Sequence, residues 1–418
     1  MKTKAVRLYG KEDLRLEEFE LPEIKDDEIL ASVISDSICM STFKAAEQGP
    51  DHKRVPNNCA EKPVIVGHEF CGEILKVGKK WQDKFTVGQK YAIQPALKGE
   101  VIAAGYSFEY IGGDSQYIVI PNIFIEGGNL LPFEGDSFFG ASLAEPVSCI
   151  IAGYHENFHT IYEDHAHVMG IKEGGAVAIL AGAGPMGLSC ADYGIHGPMK
   201  PSIMVVTDID DARLQRASEL LTVEDAKKNG VDLYYVNTAK CENPVEYMRS
   251  LTGGKGFDDV FVYAPVTPVV EQGDAILADG GCLNFFAGPL NKDFSAKVNF
   301  YEIHYGFHRI TGTSGGNTKD MVESLDLYGR NVINPAIMVT HVGGLDSVIP
   351  TVLNLPNIKG AKKLVYTHIS MPMTAISDFE KLGETDPMYK ELDRICKANN
   401  GLWSGEAEKY LLANCKKI

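Results

Sequence analysis

The sequence predicts an α/β protein: a doubly wound parallel sheet inserted within a split, β-rich domain. Three observations carry that prediction. The first 150 or so of the 418 residues fall into short alternating runs broken by Gly, Pro and Asp. From about Gly170, strand-like runs alternate with helical ones. After about Tyr328 the alternation loosens, and one more strand-like run, KKLVYTHI, precedes a polar helical tail. Short, frequently turning strands suit an irregular barrel-like domain, whereas strands that alternate with helices build a parallel sheet covered on both faces. The expected divisions are 1–160, 161–325 and 326–418.

In chain order, KAVRLYG, EILASVIS, VIVGHEFCGEILKVG and QYIVIP supply the first strands. GGAVAIL, the turn GAGPMG and an Ala-rich stretch then give strand, glycine turn and helix. SIMVVTDID and DDARLQRASELL repeat the pattern, and VDLYYVN, GFDDVFVYA and GGCLNFFAG provide further strands. GGCLNFFAG is the segment read as a sheet edge through which subunits join.

Composition narrows the function. A hydrophobic content of 44% in a chain of this length supports a large core. The formal charge of −16 repels phosphate backbones and speaks against nucleic-acid binding. No apolar run is long enough to cross a membrane, and the N-terminus lacks the apolar core of a signal peptide. Nine scattered cysteines, an odd number, fit a reducing compartment, so the expected location is cytoplasmic.

GAGPMG, Gly182 to Gly187, fits the G-x-G-x-x-G spacing. It follows the apolar run Ala176 to Leu180 and opens a helix, the context that turns a weak hexamer into a dinucleotide site. Gly182 permits the tight turn, Gly184 lets backbone approach the pyrophosphate, and Gly187 lets helix and strand pack closely, with Pro185 and Met186 between them. Asp208, at the end of the next strand, is placed to bind the adenosine ribose and to repel a 2′-phosphate, which favours NAD(H) while leaving NADP(H) open.

Three segments hold metal-ligand chemistry: Cys39 in SICMST, His68 and Glu69 in VGHEF, and Glu145 in LAEPVSC. A thiolate, an imidazole and carboxylates form a mixed soft and hard set suited to zinc. Spacing by itself does not assemble them, because Cys39 and His68 are far apart in sequence.

GHEFCGEILKVG followed by FTVGQKYAI, with SICMST and GAGPMG, resembles the medium-chain dehydrogenase/reductase superfamily of zinc alcohol dehydrogenase type. LAEPVSC resembles its sorbitol dehydrogenase branch. SDSICMSTFKAAEQGPDHKRVP, AIQPALKG and the long tail resemble the L-sorbose 1-phosphate reductases. The resemblance implies a Rossmann domain inserted in a GroES-like catalytic domain. It also implies Cys39 and His68 as zinc ligands, with Glu69 and Glu145 as carboxylates that can exchange. It further implies hydride transfer between NAD(H) and a ketose/polyol pair, such as L-sorbose 1-phosphate and glucitol 6-phosphate, with dimers or tetramers as the usual assembly. No cysteine lies between Tyr91 and Tyr117, where relatives bind a structural zinc, so one catalytic Zn2+ per chain is expected. Thr42 replaces the usual aspartate after the first ligand, and Lys44 stands where relatives often have a relay histidine.

In this reading Ser41 is the first proton-relay group, since a hydroxyl donates and accepts together. Lys44 assists it, binds substrate phosphate, or is simply solvated, and Glu69 is counted with the catalytic residues. His52, Lys53 and Arg54 form a basic cluster within an acidic chain and are expected to bind a sugar phosphate. Arg309 is a further candidate at the substrate. A dehydrogenase of unphosphorylated polyols or other secondary alcohols is the alternative. A zinc-free quinone reductase would lack the ligand set, and a catalytically silent nucleotide-binding protein would have no need of it.

Overall fold

The computed structural model describes residues 1–289 and 291–418. The chain starts with strands β1 (Lys2–Gly10), β2 (Asp13–Glu20), β3 (Ile29–Ile38), β4 (Val64–Ile65), β5 (Phe70–Val77), β6 (Lys90–Ile93), β7 (Tyr117–Ile120) and β8 (Leu130–Pro132). Next come β9 (Phe158–Thr160), β10 (His167–Met169), β11 (Ala176–Leu180), β12 (Ile203–Asp208), β13 (Asp232–Asn237), β14 (Phe257–Val262), β15 (Leu277–Phe285) and β16 (Arg309–Gly312). The return consists of β17 (Val339–Gly344), β18 (Lys362–Tyr366), β19 (Thr374–Ala375) and three tail helices.

Two compact units result: Met1–Glu145 with Val339–Ile418, and Pro146–Met338. Their divisions fall after 145 and 338, against the expected 160 and 325. Helix Ala144–Glu156 explains the first difference, because its Tyr154 stacks on Phe261 of β14 at 5.0 Å and meets Tyr193 edge-on at 4.7 Å.

In the first unit, an eight-stranded sheet runs β19-β17-β18-β3-β5-β6-β8, with β7 also pairing β3, and a smaller sheet runs β2-β1-β4. β3 is central and almost wholly buried, antiparallel to both β5 and β18. Residues just after β3, just before β5 and at the start of β18 therefore meet at one end of three neighbouring strands.

In the second unit, six parallel strands follow the order β13-β12-β11-β14-β15-β16. Every residue of β11 is buried, as a strand covered on both faces requires. β11 lies where the strand order reverses, the switch point at which doubly wound sheets bind ligands beyond the carboxyl ends of their strands.

The reading of GGCLNFFAG as an edge is corrected. It forms β15, which is paired on one side with β14 and on the other with β16. It is therefore an interior strand, and among the described residues the short β16 is the edge on that side of the sheet, with β13 at the other.

Candidate metal centre and cofactor loop

The strand ends of the first unit deliver the candidate metal ligands. Cys39 follows β3 and caps helix Met40–Gln48, while His68 and Glu69 precede β5. Their ligand atoms all lie within 4.8 Å of one another, the one such group among the described residues. Gly67 makes this turn possible: at φ +87, a Cβ there would stand 2.6 Å from the Asp114 amide nitrogen. The Glu69 amide donates to Asp36 Oδ1 at 3.1 Å, and the Ser37 amide donates to the Glu69 carbonyl at 3.1 Å.

Sequence reasoning missed Lys362. Its ammonium is buried and lies 2.5 Å from both carboxylate oxygens of Glu69, one of which also accepts from the Ser37 hydroxyl. Burial opposes ionisation of Glu69, but the Lys362 charge outweighs it and holds the carboxyl below its usual range. A lysine heading a fully buried strand is the only signal the sequence offered, and it did not say which carboxylate would be the partner.

The other candidate ligands respond to burial as well. Burial, followed by the Glu69 charge, pushes the Cys39 thiol up to about 12, and burial takes His68 down to about 4. The metal-free site thus holds a thiol, a neutral imidazole and an ionised carboxylate. A divalent cation reverses the thiol's preference, so binding releases its proton. His68 Nδ1 is 3.2 Å from Thr42 Oγ1, which lets the imidazole donate there and leaves Nε2 as the acceptor nitrogen. Thr42 thereby orients the imidazole at the position where relatives usually have an aspartate. A sulfur, a nitrogen and an oxygen at this separation fit tetrahedral zinc.

Glu145, at the start of helix Ala144–Glu156, is outside the 4.8 Å group, yet its charge acts on Cys39, Lys362 and Tyr106. Ser41 is in the first turn of helix Met40–Gln48 and is a hydrogen-bonding neighbour of the Tyr106 phenol. Lys44, Lys53 and Arg54 all act electrostatically on His52. Of these, Arg54 reaches furthest: its guanidinium lies 5.2 Å over the Tyr106 ring, and its charge is felt at His68. Lys53 is exposed. Tyr106 escaped sequence reasoning entirely, since it belongs to a loop with no periodicity.

In the second unit, the glycine loop follows β11 and helix Pro185–His196 begins at Gly184. A Cβ on Gly187 would fall 2.2 Å from the Gly182 carbonyl oxygen, which accounts for glycine there, whereas the space around Gly184 is open. The left-handed residue of the turn is Ala181, at φ 53. Asp208 ends β12, the strand beside β11, and its Oδ1 accepts from the amides of Ile209 and Asp210 at 2.8 and 3.1 Å. Arg309 is in β16, where its guanidinium donates to the Phe307 and His308 carbonyls and to Thr160.

A parallel sheet with a glycine loop at its switch point, in the same chain as a unit that gathers thiol, imidazole and carboxylate, defines a metal-dependent nicotinamide dehydrogenase. Family models agree: residues 25–125 match the alcohol dehydrogenase GroES-like domain and residues 202–330 the zinc-binding dehydrogenase domain. The chain is 51% identical to a mannitol-1-phosphate 5-dehydrogenase of Aliivibrio fischeri, covering 98% of this chain and 97% of that one. It is 46% identical to an L-sorbose 1-phosphate reductase of Klebsiella pneumoniae, covering 100% and 98%. A Sinorhizobium meliloti structure with NADP bound shares the fold at a TM-score of 0.70 and 20% identity, covering 88% of this chain and 99% of that one. The chain belongs to the zinc-dependent medium-chain dehydrogenase/reductase superfamily, and it is an alcohol/polyol dehydrogenase.

Proposed function

We propose that the enzyme interconverts a phosphorylated ketose and its polyol with NAD(H), using one zinc ion per chain. The observation that carries the phosphate is Arg54, a cation placed over Tyr106 and felt at the ligand His68 in a chain of charge −16. The two relatives named for sugar-phosphate chemistry support the same substrate class.

When bound, zinc supplies Lewis-acid polarisation of the substrate carbonyl and the nicotinamide supplies or accepts hydride. Cys39 and His68 are the residues that would hold the metal, together with a carboxylate from Glu69 or Glu145. Ser41 hands a proton to or from the reacting oxygen, and Lys44, Lys53 and Arg54, whose charges all act on His52, receive the phosphate. The glycine loop and the N-terminal amides of helix Pro185–His196 hold the dinucleotide pyrophosphate.

Asp208 sets the preference for NAD(H). Asp208→Gly removes the charge that repels a 2′-phosphate and is expected to shift the NADP/NAD ratio of kcat/KM upwards by about tenfold or more. An unchanged ratio would assign the preference to another residue.

Nine cysteines without a disulfide support a cytoplasmic enzyme, and no described helix is long and apolar enough to cross a membrane. The open β16 edge, flanked by exposed Phe300, Tyr305, Phe307 and Ile310, supports a homodimer or homotetramer.

The deciding assay is NADH oxidation by the zinc-loaded enzyme with L-sorbose 1-phosphate and D-fructose 6-phosphate beside the free ketoses. Turnover confined to the phosphorylated sugars is expected. Replacing Lys53 and Arg54 together by Ala should raise KM for those sugars about 10- to 100-fold, the value of one or two lost charged hydrogen bonds, and leave free ketoses unaffected. Equal turnover of free sugars would leave a dehydrogenase of unphosphorylated polyols.

A further inference from the structure

The last helix of the chain, Gly405–Asn414, sends one carboxylate into the interior of the first unit. Glu408 is 1% exposed, and its two oxygens accept from the amides of Phe138 and Phe139 at 2.7 and 2.8 Å. The Tyr366 hydroxyl donates to it as well, at 2.9 Å, and itself accepts from the Trp403 indole at 2.8 Å. Three donors thus converge on one group, and an ionised carboxylate is the side chain that accepts them all.

These bonds close the start of helix Phe139–Ser142, which is one turn long and has no side-chain cap from its own N-cap residue. A single turn is not stable by itself, so its place depends on what holds it. Ser142 Oγ meets Ser35 Oγ of β3 at 3.1 Å, and the Phe138 carbonyl accepts from the Cys71 thiol of β5 at 3.0 Å. Buried Leu143 then joins the turn to helix Ala144–Glu156, whose first turn carries Glu145. The Glu145 charge in turn acts on Cys39 and Lys362. A shift at Phe138 and Phe139 is therefore passed along a short buried segment to a candidate metal ligand.

We infer that Glu408 is a positioning residue: from the C-terminal helix it sets where Glu145 stands at the metal centre, acting through the backbone of 138–145. The inference rests on the reading of Glu145 as a carboxylate of that centre, and it gives the polar tail of the chain a task there.

Glu408→Gln keeps the shape and sets an amino group against one of the donating groups. In a zinc titration of metal-free protein against a chromophoric chelator, it should weaken binding about tenfold, the lower end of what support of a ligand contributes. Tyr366→Phe is the control, because it removes one donor to Glu408 and leaves both amide bonds. Its Tm should fall while its zinc affinity stays within about twofold of the wild type. Glu145→Ala should weaken zinc binding alone, and adding Glu408→Gln should bring no further loss, since the carboxylate to be positioned is gone. Wild-type affinity in Glu408→Gln beside a loss in Glu145→Ala would overturn the inference and keep Glu145 at the metal. Additive losses, or a loss in Tyr366→Phe equal to that in Glu408→Gln, would show a general loosening of the tail and overturn it too. Wild-type affinity in Glu145→Ala would remove that residue from the centre, and the inference with it. Should Glu408→Gln not fold, Glu408→Asp, which keeps the charge and shortens its reach, is measured in its place with the same expectation.

Discussion

Cys39→Ser is expected to bring zinc content from one ion per chain to near zero and to lower kcat/KM by about a thousandfold, the ~4 kcal/mol that Lewis-acid stabilisation supplies. The physical reason is the thiol's surroundings. Burial and the Glu69 charge hold Cys39 protonated without metal, so only a strong bond to a soft, divalent cation draws the thiolate out. A serine hydroxyl in that place ionises still less readily and is a poorer ligand. NADH should still bind, with its usual fluorescence change, because the glycine loop and Asp208 belong to the other compact unit. Metal analysis by plasma emission, beside an NADH titration, checks both halves. Zinc retained by the variant would rule out Cys39 as a ligand.

Lys362→Met should be the most destabilising single change near the site. It leaves the buried carboxylate of Glu69 with the Ser37 hydroxyl as its remaining close partner. Breaking a buried ion pair from one side costs about 3–5 kcal/mol, which for a unit of this size lowers Tm by roughly 10 °C. Adding Glu69→Gln should restore most of the lost Tm, since no charge is then stranded, while zinc binding would not return to the wild-type level if Glu69 takes part in it. Thermal unfolding followed by circular dichroism, on the two single variants and the double variant, measures the coupling. Additive losses would show that the pair is not the source of the stability.

Much of the nucleotide-binding unit was legible from local pattern. Ala176 to Leu180 is an apolar run long enough for a strand, and the glycines after it are spaced for one kind of turn. The structure adds why Gly187 cannot carry a side chain and places the left-handed backbone at Ala181, which no glycine motif marks. GGCLNFFAG shows the limit of such reading. Its apolar continuity revealed a strand, but strand order depends on which segments pair, and β16, only four residues long, covers it.

The metal centre was legible in its ligand types and not in its support. Cys39, His68 and Glu69 are recognisable by chemistry and by resemblance. Lys362 and Tyr106 reach the centre because β18 pairs with β3 and because the loop before β7 folds back on Gly67. Neither relation leaves a periodic trace in the residues themselves.

The sequence by itself determined the elements, the cofactor turn and the kinds of atom offered to a metal, because these follow from hydrophobic period, glycine geometry and ligand chemistry within a few residues. The tertiary structure alone decided that Lys362 neutralises Glu69, that Thr42 orients His68, and that Tyr106 packs beside that imidazole. Those choices depend on strands that are neighbours in the sheet and distant in the chain, and only burial in a shared low-dielectric interior makes them strong.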